Sequence, residues 1–349
     1  MIKERNKKER GRACLKSIFC LFIMCTIMYG EAIKKIGTSS AVFLRIPAGA
    51  KGISMGSAFT AIADDGSAMF WNPGNITAQS KTSLFLHYSP WLPGLNYNYF
   101  GLALPVEPIG VVGVNIVSLR TDEIEITTVD AEMGTGETYT AASTAIGITY
   151  AKKLTDRFSI GGNVKYLSER IFNSNSTGFA FDIGTMFVTP FKNIRLGVSI
   201  SNIGTEMRIK GDDLNSYVDI APGQKGNNEE IVAQMKTDAF TLPIIMRIGL
   251  SWDLMLSKES RLTFACDGNN PNDNAQSLSV GMEFAPLADL IFIRAGYNEL
   301  FLEDAEMGLT LGAGLNLNTL GYFDLSFSYA YQAFKYLGDV NHISIELKF

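Results

Sequence analysis

The chain has 349 residues, of which 46% are hydrophobic and 19% charged, and its formal net charge is −5. This length accommodates two soluble domains or one large β-domain. No interior segment approaches the roughly 20 consecutive apolar residues that a spanning helix needs, so such a chain crosses a membrane only as a closed barrel.

The first 32 residues have the layout of a secretory signal peptide. Basic residues run from Lys3 to Arg12, an apolar stretch covers 17–29, and Gly30 and Ala32 are small residues that predict cleavage after Ala32. An uncleaved anchor helix is the alternative, which the short apolar stretch disfavours. The mature chain then has 23 Lys/Arg against 32 Asp/Glu, a net charge of −9, and one cysteine. This acidic chain is not expected to bind nucleic acid or to form an internal disulfide.

Residues 33–80 lack the alternating pattern of the rest of the chain and contain many small residues. A segment of this kind can pack closely against backbone, as a plug inside a barrel must. Asp64 to Ser67 predicts a turn and a helix N-cap, and Asn72-Pro73-Gly74 predicts a second break before the first strand. We therefore predict an N-terminal hatch over 33–80. Its motif residues are Arg45, Gly49, Gly52, Gly56, Ala63, Asp64, Asp65, Ser67, Asn72 and Pro73.

From residue 81 to residue 349, segments of alternating apolar and polar residues are separated by turn-forming stretches. Because strand side chains alternate between two faces, each segment has one apolar and one polar face. A β-sandwich alternates as well, but here the polar face is rich in Gly, Ser, Thr and Asn, as in a transmembrane barrel. The pattern predicts fourteen strands, at 81–88, 97–104, 109–118, 139–151, 157–169, 178–188, 194–201, 240–253, 261–267, 277–284, 290–297, 308–317, 322–331 and 341–349.

The predicted connections alternate in length. The short ones are 105–108, 153–156, 189–193, 254–260, 285–289 and 318–321, and the long ones are 89–96, 119–138, 170–177, 202–239, 268–276, 298–307 and 332–340. Outer-membrane barrels have an even number of strands, short periplasmic turns and long extracellular loops. We therefore predict an all-β, antiparallel transmembrane barrel in the lipid of a Gram-negative-type outer membrane. Both mature termini are expected to be periplasmic.

The last predicted strand puts Ile343, Ile345, Leu347 and Phe349 on one face and ends in an aromatic residue. This pattern is typical of the strand by which outer-membrane barrels are recognised for insertion. We therefore expect the barrel-assembly machinery to be a partner, through the strand that ends at Phe349.

Residues with catalytic chemistry are few. His342 and Ser344 share one strand face, but side chains at i and i+2 are about 6.5–7 Å apart, too far for a direct Ser–His hydrogen bond. We expect no enzyme activity, no metal site and no cofactor. Charged and aromatic residues on the inferred inner face either select solutes or simply pair with one another. These candidate lumen-lining residues are Arg120, Lys165, Arg247, Glu283, Phe292 and Arg294.

The stretch from Arg45 to Ile76 resembles the PorV/PorQ family, which is related to FadL-like long-chain fatty-acid channels. The resemblance lies in the small-residue run, the Ala-Asp-Asp-x-Ser-Ala core and the Asn-Pro turn, and it implies an N-terminal hatch folded into the barrel. This chain has Asn72-Pro73-Gly74-Asn75 where the family commonly has Asn-Pro-Ala-Gly, which leaves the shape of the hatch turn open.

The resemblance implies two functions. FadL-like members move hydrophobic molecules, so the leading prediction is transport of hydrophobic or amphipathic substrates across the outer membrane. PorV-like members serve the type IX secretion system, so the alternative is a component that binds and shuttles secreted protein cargo at the cell surface. The long loop at 202–239 fits such a cargo-binding surface.

Overall fold

Fourteen antiparallel strands form one closed barrel in the computed structural model, which describes residues 37–220, 231–303, 305–319 and 323–349. The predicted signal peptide, residues 1–32, lies outside the described residues. The strands are β1 (Ser83–Leu92), β2 (Leu95–Val106), β3 (Gly110–Thr121), β4 (Ala141–Thr155), β5 (Phe158–Ile171), β6 (Ser174–Val188), β7 (Arg195–Gly204), β8 (Ile245–Met255), β9 (Arg261–Pro271), β10 (Ser277–Ala285), β11 (Ile291–Leu300), β12 (Met307–Thr319), β13 (Phe323–Phe334) and β14 (Asp339–Lys348).

Each strand pairs with the next one along the chain, and β14 pairs with β1 to close the barrel, with Ser83 opposite Lys348 and Tyr88 opposite Ile343. Closure leaves no free sheet edge, which is the condition for a sheet to stand in lipid. The predicted fold class, an all-β antiparallel barrel of fourteen strands, is confirmed.

The two faces of the wall differ in polarity. In β1, Leu86 and Tyr88 point outward and are 47% and 46% exposed, whereas Phe85 and His87 point inward and are 2% and 3% exposed. The same alternation of outward apolar and inward polar residues continues around the wall. A contiguous exposed apolar band indicates a lipid-facing surface. None of the helices in the described part of the chain is long and apolar enough to cross a bilayer.

Two of the predicted long connections are tight turns instead. β1 and β2 are joined by residues 93–94, and β5 and β6 by residues 172–173. The strands extend further than the alternation indicated, and Gly94, with φ +74°, closes the first of these turns. The longer connections at this end of the barrel, here the long-loop end, include 122–140 and 205–244. Two short hairpins rise from them: Ile124–Glu125 with Thr138–Tyr139, and Asn215–Val218 with Ile231–Gln234.

Residues 39–81 pass through the barrel interior from one end to the other. Their helices are a 3₁₀ turn at Val42–Arg45, α1 (Ala50–Ser54), α2 (Ala68–Trp71) and a 3₁₀ turn at Pro73–Ala78. We call residues 39–81 the N-terminal segment.

The N-terminal segment starts and finishes at opposite ends of the barrel. At the long-loop end the Ser40 N–H donates to the Thr241 carbonyl oxygen at 3.0 Å. At the other end, the short-turn end, Lys81 forms a 2.8 Å ion pair with Asp324 and the Phe349 N–H donates to the Thr82 carbonyl oxygen. Because the segment crosses the lumen once, the first described residues lie at the end opposite Phe349. The mature N-terminus lies outside the described residues, so the periplasmic position of both mature termini stays a prediction.

Candidate functional site

Two carboxylates of the wall hold the backbone of the N-terminal segment. Asp267 Oδ2 accepts hydrogen bonds from the Phe59 and Thr60 N–H groups at 2.9 and 2.8 Å, and Glu346 Oε1 accepts one from Gly66 at 2.9 Å. A buried N–H group without an acceptor is costly, so these turns of the segment depend on acceptors that the wall supplies.

Hydroxyl groups of the wall do the same at two further points. Thr310 Oγ1 accepts from the Gly56 N–H at 3.0 Å and donates to the Ser54 carbonyl oxygen at 3.2 Å. Ser344 Oγ accepts from the Ala50 N–H at 2.8 Å and lies 2.9 Å from His87 Nδ1. Ser344 therefore fixes the segment and contacts His87.

Inward-facing glycines of the wall allow segment backbone to lie directly on the strands. A methyl group added at Gly296 would lie 2.1 Å from the Gly56 nitrogen, and one added at Gly184 would lie 2.1 Å from Asn72 Oδ1. At four more wall glycines the added carbon would come within 2.3 to 2.5 Å of the segment: Gly161, Gly197, Gly281 and Gly312. At these glycines the segment lies against wall backbone with no room for a wall side chain.

Glycines of the predicted hatch motif have two different roles. Gly56, with φ +64°, faces the wall, where an added carbon would lie 2.5 Å from both the Tyr297 nitrogen and the Val280 carbonyl oxygen. Gly49 and Gly52 instead allow close packing within the segment, and an added carbon at Gly52 would meet the Phe59 ring at 3.0 Å. The small-residue run therefore serves the wall contact at Gly56 and the internal packing at the other two.

Two charged residues of the motif, Arg45 and Asp64, form ion pairs. Arg45 lies 3.4 Å from Asp273 of the 272–276 connection, and Lys51 forms a 2.6 Å ion pair with Asp64 inside the segment.

The remaining motif residues organise turns. Ser67 stands at the N-cap of α2 as predicted, but its N–H and hydroxyl both donate to Asp65 Oδ1, and no side chain caps the helix. Asn72 Nδ2 donates to the Thr60 and Thr185 carbonyl oxygens at 3.0 and 2.9 Å, which ties the segment to β6. Ala63 is fully buried, and Pro73 opens the second 3₁₀ turn.

Four of the predicted lumen-lining residues pair with partners inside the barrel. Lys165 forms a 2.8 Å ion pair with Asp182. Arg294 forms a 2.7 Å ion pair with Glu283, and its guanidinium stands 4.8 Å from the ring centroid of Phe292. These charges neutralise one another, which agrees with the interpretation that inner-face charges pair rather than select solutes.

Arg247 is buried and belongs to none of the ion pairs among the described residues. The charges of Asp182 and Asp267 act on it from beyond ion-pair distance. Its guanidinium lies 5.5 Å from the Trp71 ring and 5.9 Å from the Phe70 ring, and one nitrogen donates to Ser201 Oγ at 3.4 Å. Aromatic faces attract a cation, so α2 covers the charge that the wall presents.

Arg120 does not line the lumen. It is exposed near the end of β3, and the alternation of that strand turns Val117 and Leu119 inward instead. The predicted strand ended at residue 118, whereas the observed strand continues with unbroken alternation to Thr121. The inward assignment of Arg120 is therefore corrected.

A ladder of alternating charges crosses five neighbouring strands near the short-turn end. Arg195 of β7 contacts Asp253 at 2.8 Å, Arg261 contacts Asp253 and Glu283 at 3.6 and 3.1 Å, and Glu283 contacts Arg294. The sequence places Glu283 and Arg294 on the inner face, but the cross-strand register that joins them to the other three was not visible in it.

Cavities lie on both sides of the N-terminal segment. The larger, about 630 Å³, is at the long-loop end between residues 39–43, the 205–244 connection and the ends of β3, β4 and β5; we call it the outer cleft. A smaller one of about 180 Å³ is at the short-turn end, beside Lys51, Asp64 and Arg294. Phe43, Met207 and Leu242 belong to the buried apolar cluster beside the outer cleft.

No protein-family model matches the chain, and no curated protein matches it. Solved structures are similar. The CymD monoaromatic hydrocarbon channel has a TM-score of 0.57 and 13% identity, covering 87% of this chain and 98% of that chain. The Pseudomonas putida toluene transporter TodX has a TM-score of 0.52 and 10% identity, covering 86% of this chain and 96% of that chain. A Pseudomonas aeruginosa FadL homologue has a TM-score of 0.46 and 13% identity, covering 84% and 95%.

At these identities the likeness establishes the fold, which this chain shares with hydrocarbon channels over most of its length. The narrower resemblance to the PorV/PorQ family stays a prediction.

Proposed function

We propose that the chain is an outer-membrane channel for hydrophobic or amphipathic small molecules. The outer cleft carries this proposal, because its volume of about 630 Å³ falls within the range of ligand pockets, and its lining includes Phe43, Leu119, Met207 and Phe240. Likeness in fold to structures described as a hydrocarbon channel and a toluene transporter supports it. The long loops would then be extracellular and the short turns periplasmic.

In this proposal the N-terminal segment is the hatch of the channel. Its glycine contacts with the wall and its hydrogen bonds to Asp267 and Glu346 support a plug that is held in place and leaves little free lumen. Such a plug restricts ions and small polar solutes and leaves ligands a route that begins in the outer cleft.

Uptake into proteoliposomes tests the channel. Toluene entry should exceed that into empty vesicles, and glucose entry should not. Leu119→Asp puts a charge in the outer cleft and should lower toluene entry, whereas Val129→Asp, at a 92% exposed loop position outside the cleft, is the matched control. Equal toluene entry with and without protein would contradict the proposal.

Planar-bilayer conductance tests the hatch separately. Intact protein should conduct poorly, and deletion of residues 45–74 should raise conductance strongly, because those residues fill the lumen. Large, stable pores in the intact protein, unchanged by the deletion, would instead indicate a simple porin without a hatch.

A second candidate function is the PorV-like one, the binding of secreted protein cargo. The hairpin of Asn215–Val218 and Ile231–Gln234 favours it, because Tyr217 and Val232 stand opposite each other and are 74% and 60% exposed. Tyr217→Ser with Val232→Ser should reduce release of secreted proteins in this case and leave toluene uptake unchanged. The opposite result would favour the channel.

Assembly is proposed to use β14, as the sequence predicted. Phe349 is 55% exposed at the short-turn end, where an assembly factor can reach it from the periplasm. Phe349→Ser should lower the amount of folded barrel in the membrane.

A further inference from the structure

The outer cleft is apolar but its charges have one sign. Its lining contains Glu169 and Asp238 and includes no lysine or arginine among the described residues. A cleft of this composition suits the body of a hydrophobic ligand and offers carboxylates to its head.

Glu169 is half-buried and weakly satisfied. Its Oε2 accepts from the Ala41 N–H at 3.3 Å and its Oε1 accepts from the Ser143 hydroxyl at 3.4 Å, both long for hydrogen bonds to a carboxylate. No ion pair among the described residues includes Glu169 or Asp238. At the short-turn end, by contrast, Glu283 and Asp253 are each paired with an arginine.

Each carboxylate has a distinct place in the cleft. Glu169 is near the long-loop end of β5, beside the start of the N-terminal segment, and Asp238 is exposed in the 205–244 connection. A ligand whose apolar body contacts Phe43 and Leu119 therefore has a carboxylate available for a positively charged head, and the part-buried one is the stronger partner because water screens it less.

We propose that the outer cleft binds amphipathic cations, that is, ligands with an aromatic or aliphatic body and an ammonium head, in preference to matched alcohols and carboxylates. The proposal rests on the channel function and names its ligand class. It also predicts that anionic amphiphiles are disfavoured at this entrance, because a carboxylate head would face two like charges without a counter-ion in the lining.

Binding of three matched probes tests the preference. Protein in nanodiscs is titrated with 2-phenylethylammonium, 2-phenylethanol and phenylacetate at pH 7.5 by isothermal calorimetry, with empty nanodiscs subtracted. The ammonium should bind roughly twofold to fivefold more tightly than the alcohol, and phenylacetate most weakly. The advantage should shrink as salt is raised, because salt screens an exposed pair.

Substitution identifies the carboxylate responsible. Glu169→Gln keeps the size and an acceptor oxygen and should bring the ammonium to the affinity of the alcohol. Glu123→Gln, which removes an exposed carboxylate of the 122–140 connection outside the cleft, should change nothing. Asp238→Asn should have a smaller effect than Glu169→Gln.

The outcomes separate this inference from the channel function. If the alcohol binds but the ammonium has no advantage, or Glu169→Gln leaves that advantage intact, the cation preference is wrong and the channel stands. If no probe binds and toluene does not enter vesicles, the channel proposal fails. A Lys34→Gln/Lys35→Gln variant checks the lysines that precede the segment. If this variant prefers the cation and the wild type does not, then the chain's own lysines occupy the cleft carboxylates in the wild type, and the inference is wrong.

Discussion

A single methyl group on the barrel wall should displace the N-terminal segment. Gly296 lies on the inner face of β11, and the carbon that Gly296→Ala adds would be 2.1 Å from the Gly56 nitrogen and 2.3 Å from the Met55 carbonyl carbon. Both neighbours are backbone, so no side-chain rotation relieves the overlap. The wall is fixed by its pairing with β10 and β12, and the segment is the part that has to move.

The expected energy is that of an overpacked contact. Forcing extra carbon into a well-packed interior costs about 1–3 kcal/mol. Part of this loss comes from the bond between the Gly56 N–H and Thr310 Oγ1, which lengthens as the segment shifts. Since 1.4 kcal/mol is tenfold in an equilibrium constant, the population with a displaced segment should rise roughly fivefold to 150-fold.

The assay compares two alanine variants of one barrel. Gly296→Ala should increase single-channel conductance events and the rate of protease cleavage within residues 45–74, while the heat stability of the barrel changes little. Gly268→Ala is the matched control, because Gly268 lies in β9 and its added carbon has nothing closer than 4.0 Å. If both variants conduct and are cleaved like the wild type, the close contact between segment and wall is refuted.

Two further predictions concern the same interior, and a third concerns the topology of the barrel. Asp267→Ala should raise cleavage within residues 45–74 more than Asp267→Asn, because it leaves the Phe59 and Thr60 N–H groups without an acceptor, at about 1–3 kcal/mol for each; equal cleavage in both variants would argue against this role. The Lys51–Asp64 pair should stabilise the folded segment at neutral pH, so Asp64→Asn should be cleaved faster than wild type within residues 45–74. The two proteins should converge in acid, because a protonated Asp64 offers Lys51 no charge. In a Cys266→Ser background, Met133→Cys should react with an impermeant thiol reagent on intact cells and Leu287→Cys only after permeabilisation, since they stand at opposite ends of the barrel; the reverse pattern would invert the topology.

The barrel was predictable because its signal is local. Alternation within β13, where Phe323 and Leu325 flank Asp324, is fixed by the geometry of one strand and needs no knowledge of its neighbours. Strand ends were harder to predict, because Trp91 and Leu92 continue β1 beyond the point where the alternation in the sequence weakens. The error at Arg120 has the same origin, since the face of a residue outside the predicted strand was extrapolated.

For the barrel interior, the sequence predicted close packing but not which residues pack against each other. Small residues in the N-terminal segment indicated close packing, but the partner glycines of the wall, Gly184 and Gly296, looked like ordinary members of a polar face. Their contacts with Asn72 and Gly56 join positions more than a hundred residues apart. These contacts depend on the register of the strands and on the position of the segment in the lumen. Asp267 could have been suspected as an inward carboxylate at the end of a predicted strand. Its role as an acceptor for two N–H groups depends on the path of the segment.

Arg247 shows why segment and wall have to be considered as one folded unit. A buried guanidinium is unfavourable in an apolar surrounding unless it is stabilised, and no carboxylate of the described residues lies within ion-pair distance of Arg247. The rings of Phe70 and Trp71 in α2 cover it, and the Trp71 Nε1–H donates to the Ala48 carbonyl oxygen at 2.8 Å, which holds that ring in position. The wall charge thus favours the docked segment, and the docked segment excludes water from the charge.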